Sequence, residues 1–510
     1  MQFLHLIDPF QWSPAYAKQD LYGMINNRSV MVVKDKQVQC PQYKKCGGCQ
    51  LQRMSYAEQL HHKQLKEINL LGRFGHVEEI IGMENPLHYR NKVTAAFALD
   101  SQRKIISGVY QSSSHKVVPI DSCMIEDVTA DAIIVDIRKM LPEFKIQVYD
   151  ERNGTGWLRH VLVRRGFSTG QVMVVLVAIS TLFKLQKPFL KKLLELHPEI
   201  STVVLNINDR FGPVVLGNRD KVLFGNGYIE DVLCGHRFRI SPSSFYQINP
   251  IQTEVLYRTA VDFAELGGEE TVLDAYCGIG TIGITASDRA KQVIGVELNK
   301  EAVQDAIVNA KLNGIRNCWF TAGDAGQYMQ RMAADGMRPD VVFMDPPRAG
   351  SDQKFLAALL KTSPKRIVYV SCDPETMARD LKILTADQYR VRRIQPVDMF
   401  PFTEHVETVV QLSKGIDISA GKVQVEFSVE DMDLSAAHGN ASYNKIKKYI
   451  YEKTGLQVSN LNIAQVERKY GIIERENYNL PKSENSKQPN CTPEKEKAIV
   501  AALQYFKMIG

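Results

Sequence analysis

The sequence lacks any long apolar run. No stretch reaches the roughly 18 uninterrupted apolar residues that a membrane-spanning helix requires. Its first residues, MQFLHLIDPFQW, also lack the basic stretch followed by an apolar stretch that marks a secretory signal. We therefore expect a soluble, cytoplasmic protein without a membrane partner, and we predict a monomer.

Cysteine and unbalanced charge are also scarce. Nine cysteines in 510 residues are too few and too scattered for a disulfide framework, so in a cytosolic protein they indicate metal binding or catalysis. The net charge is only +6, which is compatible with a polyanionic partner and equally typical of metabolic enzymes. Apolar residues make up 44% of the chain and charged residues 24%, a composition that excludes a disordered protein.

The pattern changes along the chain and predicts four regions. Residues 1–39 form a short opening segment without clear patterning. Residues 40–240 begin with three close cysteines and a helix, and then continue as short β-branched runs separated by Gly, Asn and Asp, which is typical of a β-rich region. From 241 to 414 strands alternate with helices, which indicates an α/β fold with a parallel, doubly wound sheet. Residues 415–510 form an accessory extension with one strand (KVQVEF) and three helices.

A glycine-rich turn predicts a nucleotide-like ligand in the α/β region. Gly278 and Gly280 follow the strand VLDAY and precede a helix, where the backbone can approach a ligand. Glu297 ends the next strand, and such an acid can accept hydrogen bonds from both ribose hydroxyls of an adenosine. Asp324 and Asp345 follow the third and fourth strands. Because carboxylates stabilise a sulfonium and repel a pyrophosphate, these acids favour S-adenosylmethionine over a dinucleotide.

A cysteine at the end of the fifth strand predicts a nucleophile. Cys372 stands in the loop sequence SCDP, where ligands bind in open α/β sheets. A thiolate there could add to C6 of a pyrimidine and activate C5 for methylation, after which a base must remove the C5 proton. Glu407, at the start of the last strand, is the candidate base. Arg348, in DPPR, stands where amino-group methylases have an aromatic residue, and it suits a uracil carbonyl, a phosphate or the enolate.

Four cysteines predict a metal centre. Cys40, Cys46 and Cys49 form a C-x5-C-x2-C pattern, and Cys123 follows in IDSCMI. Three close cysteines and a remote fourth can bind zinc or an iron–sulfur cluster. Zinc sites more often have two C-x2-C pairs, so the iron–sulfur cluster is favoured and zinc is the alternative.

These motifs, taken in order, resemble the RNA m5U methyltransferases, and specifically the iron–sulfur branch that modifies 23S ribosomal RNA. The resemblance covers about residues 40–413 and rests on the cysteine pattern and on YRNK (89–92), LRHVLVR (158–164), FYQINP (245–250), DAYCGIGT (274–281), DPPRAG (345–350), SCDP (371–374) and HVET (405–408). It implies a class I Rossmann-like methyltransferase domain next to a β-rich domain that carries a [4Fe–4S] cluster.

The resemblance also implies roles for individual residues. Cys372 would be the nucleophile and Glu407 the base, and the four cysteines would bind the cluster. The residues that would contact S-adenosylmethionine are Gln247, Tyr276, Gly278, Thr281, Glu297, Asp324 and Asp345.

The RNA substrate is less sharply indicated. Because the tRNA-specific branch generally lacks the cysteine cluster, we favour 23S rRNA, with tRNA uracil methylation as the alternative and a non-catalytic iron–sulfur RNA-binding protein as a third reading. The segment before Cys40 is too short for the complete RNA-binding barrel (TRAM domain) of many family members. Candidate RNA contacts are aromatic and basic residues that stack on bases or pair with RNA, namely Tyr89, Arg90, Lys92, Arg159, Arg164, Arg165, Phe245, Tyr246 and Phe402.

Overall fold

The computed structural model describes residues 40–415 except 112, 113, 115, 211, 213 and 387, and residues 443–505 except 455 and 470–490. The chain divides into two compact units, with the boundary after Ile416. The opening segment 1–39 and the predicted strand KVQVEF lie outside the described residues.

The first unit begins with the short helix α1 (Tyr43–Cys46) and the longer helix α2 (Tyr56–Leu71). The expected cap of α2 is present, because the Ser55 backbone N–H donates to Glu58 Oε2 at 2.7 Å and the Glu58 backbone N–H donates to Ser55 Oγ at 3.3 Å. The buried face of α2 is unusual. It consists of Gln59, Lys63, Glu67 and Leu71, spaced four residues apart.

A seven-stranded sheet forms the β-rich region, with the order β3-β2-β1-β4-β5-β6-β7. The helices α3 and α4 pack on it around a large apolar core that includes β4 and β5. The sequence pattern predicts α4 but not α3. The strands of this sheet and its two helices are β1 (Lys92–Leu99), β2 (Ile105–Tyr110), β3 (Val117–Pro119), α3 (Val128–Met140), β4 (Leu158–Arg165), β5 (Val172–Ala178), α4 (Gln186–Leu196), β6 (Ile200–Ile207) and β7 (Arg219–Phe224).

A hairpin and a second seven-stranded sheet complete the first unit. The sheet order is β12-β11-β10-β13-β14-β16-β15. The elements are β8 (Ile229–Leu233), β9 (His236–Ile240), α5 (Pro250–Phe263), β10 (Thr271–Asp274), α6 (Thr281–Ala286), β11 (Gln292–Glu297), α7 (Lys300–Leu312), β12 (Cys318–Ala322), α8 (Ala325–Ala334), β13 (Val341–Met344), α9 (Gln353–Thr362), β14 (Arg366–Ser371), α10 (Pro374–Leu384), β15 (Tyr389–Val397) and β16 (Glu407–Lys414).

The second sheet is mixed. Strands β10 to β14 pair in parallel, as the alternation of strands and helices predicts, but β16 is antiparallel to both β14 and β15. The expectation of a wholly parallel sheet is therefore wrong at this edge. Because β16 runs in the opposite direction, its first residue lies at the same edge of the sheet as the carboxyl end of β14.

The second unit contains three helices in its described residues, α11 (Tyr443–Thr454), α12 (Asn460–Lys469) and α13 (Pro493–Tyr505). They share a small apolar core to which each helix contributes, including Ile446, Ile450, Ile463, Val466 and Ile499. The sequence pattern places all three helices within a residue or two.

Candidate active site

Four chemically important side chains lie at one edge of the second sheet. β10 ends at Asp274, β13 is followed by Asp345, β14 is followed by Cys372, and β16 begins at Glu407. The carboxyl edge of a parallel α/β sheet is where ligands bind, because the loops at that edge open onto a crevice. The fold therefore collects the predicted nucleophile, the predicted base and two of the acids in one place.

The register of β14 and β16 brings the nucleophile and base candidates next to each other. Ser371 pairs with Thr408 across the antiparallel ladder. Cys372 is one residue beyond Ser371, and Glu407 is one residue before Thr408. Their electrostatic coupling agrees with this placement, because the Glu407 carboxylate contributes to a raised pKa of the Cys372 thiol.

The Cys372 thiol is half-buried, and its surroundings oppose ionisation. Burial raises its pKa to about 11, and the negative charges of Glu407 and Asp345 add to this effect. Arg348 acts in the opposite direction through its charge and a side-chain hydrogen bond. The arginine of DPPR is thus the cation that stabilises a thiolate at Cys372.

The Glu407 carboxyl is almost completely buried, with 4% of its surface exposed. Burial raises its pKa well above the ordinary value, and Asp345 and Glu67 raise it further, whereas Arg348 lowers it. A carboxylate with a raised pKa accepts a proton more readily than an exposed one. These surroundings suit a general base.

Two residues of α2 support the segment that leads to Glu407, and the motifs did not single them out. Lys63 Nζ lies 2.6 Å from Asp398 Oδ1, with both side chains fully buried, and it also donates to the carbonyl of Phe400 at 3.1 Å. Thr408 Oγ1 donates to Glu67 Oε2 at 2.9 Å. Charged residues spaced four apart within a helix are the sequence signal that could have revealed this buried polar face.

The glycine turn has the backbone that the predicted ligand requires. Gly278 and Gly280 adopt φ angles of 53° and 85°, a region that other residues rarely occupy. Nothing lies within 4 Å of the position that a Cβ would take at Gly278, so the turn faces open space. The Gly278 N–H donates to Glu297 Oε2 at 3.2 Å, which places the predicted ribose-binding acid beside the turn.

The other predicted cofactor contacts have partners of their own. The Asp324 carboxylate caps α8 by accepting a hydrogen bond from the backbone N–H of Gln327 at 2.9 Å. The Tyr276 hydroxyl donates to Ser351 Oγ at 3.4 Å. Gln247 is buried in the segment that precedes α5, and its backbone carbonyl accepts a hydrogen bond from Asn91 Nδ2 at 3.0 Å.

A buried tyrosine joins the two halves of the site. The Tyr257 hydroxyl, on α5, accepts a hydrogen bond from Thr281 Oγ1 at 3.2 Å. Burial raises its pKa, and the acids Asp345, Asp274 and Glu407 raise it further, so this phenol remains protonated among three carboxyl groups. Sequence reasoning missed Tyr257 because nothing in its helix distinguishes it from a core aromatic residue.

The cysteine motif folds as a short turn. Burial is the largest effect that raises the pKa of Cys46 and of Cys49, and the charge of Cys40 raises both further, while that of Cys46 adds to the effect on Cys49. Cys49 and Cys123 both pack against a small apolar cluster that contains Met83, Tyr89 and Ile125. Burial raises the pKa of each of these two thiols to about 12.

The structure does not support the predicted cluster directly. Within residues 40–415 and 443–505, the described parts contain no group of three or more His, Cys, Asp or Glu side chains arranged to hold a metal ion. Thiols are nonetheless the ligands that iron–sulfur clusters use, and two of the four, Cys49 and Cys123, share one apolar cluster.

Comparison with known proteins identifies the family. The tRNA (Uracil-5-)-methyltransferase family model matches residues 55–415. The chain belongs to this family. An uncharacterised RNA methyltransferase of Clostridium acetobutylicum is 44% identical over 382 residues, which cover 74% of this chain and 83% of the relative. A counterpart from Oceanobacillus iheyensis is 43% identical over 374 residues, with coverage of 72% and 81%.

A solved structure supports the same family and the same fold. The tRNA (uracil-54, C5)-methyltransferase of Pyrococcus abyssi, in complex with S-adenosyl-L-homocysteine, is 29% identical with a TM-score of 0.61, and the match covers 72% of this chain and 85% of that one. The predicted family, the α/β methyltransferase fold and the enzyme class, an RNA (uracil-5-)-methyltransferase, are confirmed. The iron–sulfur branch stays a prediction.

The described helices can also be compared with the requirements of a membrane span. Among the described residues, no helix combines the length and the apolar character that crossing a bilayer demands.

Proposed function

We propose that this enzyme methylates C5 of a uridine in RNA, using S-adenosylmethionine, through a covalent bond between Cys372 and C6 of the uracil. The single observation that carries the proposal is the pairing of Ser371 with Thr408, because Cys372 directly follows the first and Glu407 directly precedes the second. Neither residue alone would require this chemistry. Together, a nucleophile and a buried base at one sheet edge, in a member of a uracil-C5 methyltransferase family, support this chemistry.

The proposed reaction has three steps at the protein. The Cys372 thiolate adds to C6, and the π electrons of the C5–C6 bond move through C4 to O4, which gives an enolate. C5 then takes the methyl group from the sulfonium donor, whose S–CH3 bond breaks, and S-adenosylhomocysteine leaves as a neutral thioether. Glu407 finally removes the C5 proton, the C5–C6 double bond re-forms, and Cys372 leaves as a thiolate. Arg348 stabilises the thiolate before attack and after release, because its charge lowers the pKa of the thiol.

We assign the methyl donor to the glycine turn. Gly278 leaves room for the ligand, and Glu297 lies beside it to bind the ribose. The Pyrococcus abyssi relative, whose structure contains S-adenosyl-L-homocysteine, supports this choice of cofactor. The remaining proposed contacts are Gln247, Tyr276, Thr281, Asp324 and Asp345.

Two substitutions test the roles of the nucleophile and base. We expect Cys372→Ala to abolish 5-methyluridine formation while S-adenosylmethionine binding remains, and Glu407→Gln to accumulate a covalent protein–RNA adduct that migrates slowly in a denaturing gel. Cys318→Ala is the matched control, because Cys318 is also half-buried and begins a strand of the same sheet. Normal turnover by the Cys372→Ala variant would contradict the covalent mechanism.

We propose 23S rRNA as the substrate, on the basis of the cysteine motif. The tRNA alternative is supported equally by the Pyrococcus abyssi relative, which is named for tRNA uracil 54. The test offers unmodified 23S rRNA and unmodified tRNA separately and measures 5-methyluridine in each by mass spectrometry. Product in rRNA alone supports the proposal. Product in tRNA alone keeps the chemistry and replaces the substrate.

We also propose that Cys40, Cys46, Cys49 and Cys123 bind a [4Fe–4S] cluster. Its support is the mutual proximity of the first three thiols and the apolar cluster that Cys49 shares with Cys123. Anaerobically purified protein should be brown and contain about four iron and four acid-labile sulfide per chain. Cys49→Ser should lose both, whereas Cys491→Ser, in the second unit, should keep them. Zinc without iron would support the alternative.

A further inference from the structure

Several of the predicted RNA contacts have structural partners that explain their presence, including acidic side chains opposite two of the arginines. Arg159 donates to the carboxylate of Glu151 and to two backbone carbonyls, and Arg165 forms an ion pair with Asp127 at 2.7 Å. Tyr89 is buried, and its hydroxyl donates to a backbone carbonyl at 3.0 Å. These hydrogen bonds and the ion pair give all three residues a structural role.

Lys92 and Arg164 behave differently. Lys92 is the first residue of β1, and Arg164 is its direct partner across the antiparallel ladder with β4. Directly opposed side chains in such a ladder lie on the same face, about 5 Å apart at Cβ, and two like charges in these positions destabilise the sheet. The fold therefore holds two cations together at one point.

Among the described residues, no acidic side chain forms an ion pair with Lys92 or Arg164. The Arg164 guanidinium is buried, donates through Nη2 to the Ser244 carbonyl at 2.6 Å, and leaves its Nε without a hydrogen-bond partner among the described residues. Within the same described part of the chain, Lys92 forms no recorded hydrogen bond or ion pair. Burial lowers the pKa of Lys92 to about 8, and the charges of Arg164 and Arg90 lower it further, with no acid acting against them.

A buried pair of cations without an acid is unfavourable unless an anion binds there. We propose that Lys92 and Arg164 form a binding site for one phosphate of the RNA backbone. Lys92, which is partly exposed, donates to the phosphate oxygens, and Arg164 supplies the second charge from its fixed position on the Ser244 carbonyl. The proposal rests on the proposed function, since it names how that enzyme holds its substrate.

Neighbouring residues connect this site to the reaction site. Phe245 follows Ser244 and has 67% of its surface exposed, so a base next to the bound phosphate can stack on its ring. Asn91, beside Lys92, donates through Nδ2 to the carbonyl of Gln247 at 3.0 Å. The segment that carries Phe245 and Gln247 leads directly into α5, which contributes Tyr257 to the active site. Tyr246, by contrast, is buried and is not available for stacking.

The test measures RNA binding by the full chain as a function of salt. A single-stranded uridine-containing oligonucleotide is titrated with wild type, Lys92→Met, Lys92→Arg and the control Lys104→Met, whose lysine is exposed in the turn before β2. We expect Lys92→Met to weaken binding about tenfold and to reduce the slope of log K against log salt by about 0.7, the value for one phosphate on a single strand. Lys92→Arg should restore the slope, and Lys104→Met should change neither quantity.

The outcomes separate this site from the proposed function. An unchanged affinity and slope for Lys92→Met would overturn the site. A reduced slope together with no methylation of any RNA by wild type would keep the site and reject the function. Inorganic phosphate is the remaining arm of the test. Competition in the millimolar range agrees with a backbone phosphate, whereas micromolar competition would assign the site to a free anion instead.

Discussion

Replacing Glu67 by glutamine should change how the stability of the protein depends on pH. Glu67 is fully buried on α2, its Oε2 accepts a hydrogen bond from Thr408, and its Oε1 has no hydrogen-bond partner among the described residues. Burial raises its pKa to about 7, whereas the hydrogen bond and the charge of Lys66 lower it. The carboxyl is therefore uncharged in acid and becomes an unfavourable buried charge in base.

The sign and size follow from proton linkage. The folded state binds the Glu67 proton more tightly than the unfolded state, so this group favours folding below its ordinary pKa of 4.5 and loses that contribution as the pH rises to about 7. Each pKa unit corresponds to 1.36 kcal/mol, so the full loss is about 3 kcal/mol. Glu67→Gln keeps an acceptor for Thr408 without the charge. We expect it to match wild type near pH 4 and to be more stable by up to about 3 kcal/mol at pH 8.

Urea denaturation at a series of pH values between 4 and 8 measures this difference. Glu58→Gln is the control on the same helix, because hydrogen bonds from Ser55 lower the pKa of exposed Glu58, so the glutamine variant should instead be less stable at neutral pH. A difference between Glu67→Gln and wild type that stays constant across the whole pH range would refute the reasoning. It would mean that the substitution acts through packing and not through charge.

Substitutions at three further positions have definite expected results. Arg348→Ala should lower kcat about tenfold near neutral pH and shift its pH profile to higher pH, because the arginine lowers the pKa of the Cys372 thiol; Arg348→Lys should recover part of the rate. Gly280→Ala should reduce the free energy of unfolding by about 1 to 2 kcal/mol and weaken methyl-donor binding in calorimetry, because φ is 85° there. Lys63→Met should reduce the free energy of unfolding, measured by urea denaturation, by about 3 to 5 kcal/mol, because Asp398 would remain buried without its cation. A variant as stable as wild type would contradict this expectation.

Much of the fold could be predicted from the sequence because local patterns and global architecture agree. The alternation of short apolar strands with helices from 241 to 414 predicts the α/β sheet, and the capping sequence at Ser55 predicts the start of α2. The antiparallel entry of β16 could not be predicted in the same way. A short apolar strand has the same pattern in either direction, and its direction depends on which neighbour it pairs with.

The candidate site likewise contains residues that local sequence patterns indicate and residues that they do not. Residues in short motifs at strand ends, such as Cys372, could be predicted from the sequence because their chemistry and position coincide. Glu67, Lys63 and Tyr257 were missed, since each acts through partners that are far away in sequence. The Glu67–Thr408 hydrogen bond joins residues 341 positions apart. No local pattern contains that information, although two charged residues on the buried face of one helix are a usable warning.

The segment before Glu407 shows how the distant parts of the chain combine into one mechanism. Phe402 has a φ of 68°, which is uncommon for a residue other than glycine. Its N–H donates to Gln59 Oε1 at 2.8 Å, and its carbonyl accepts from the N–H of Leu51 at 3.0 Å. The Tyr89 hydroxyl holds the preceding carbonyl. Such a backbone persists only where its surroundings over-determine it. The segment that leads to the base is therefore held by Leu51, Gln59 and Tyr89, which lie between the cysteine motif and β1.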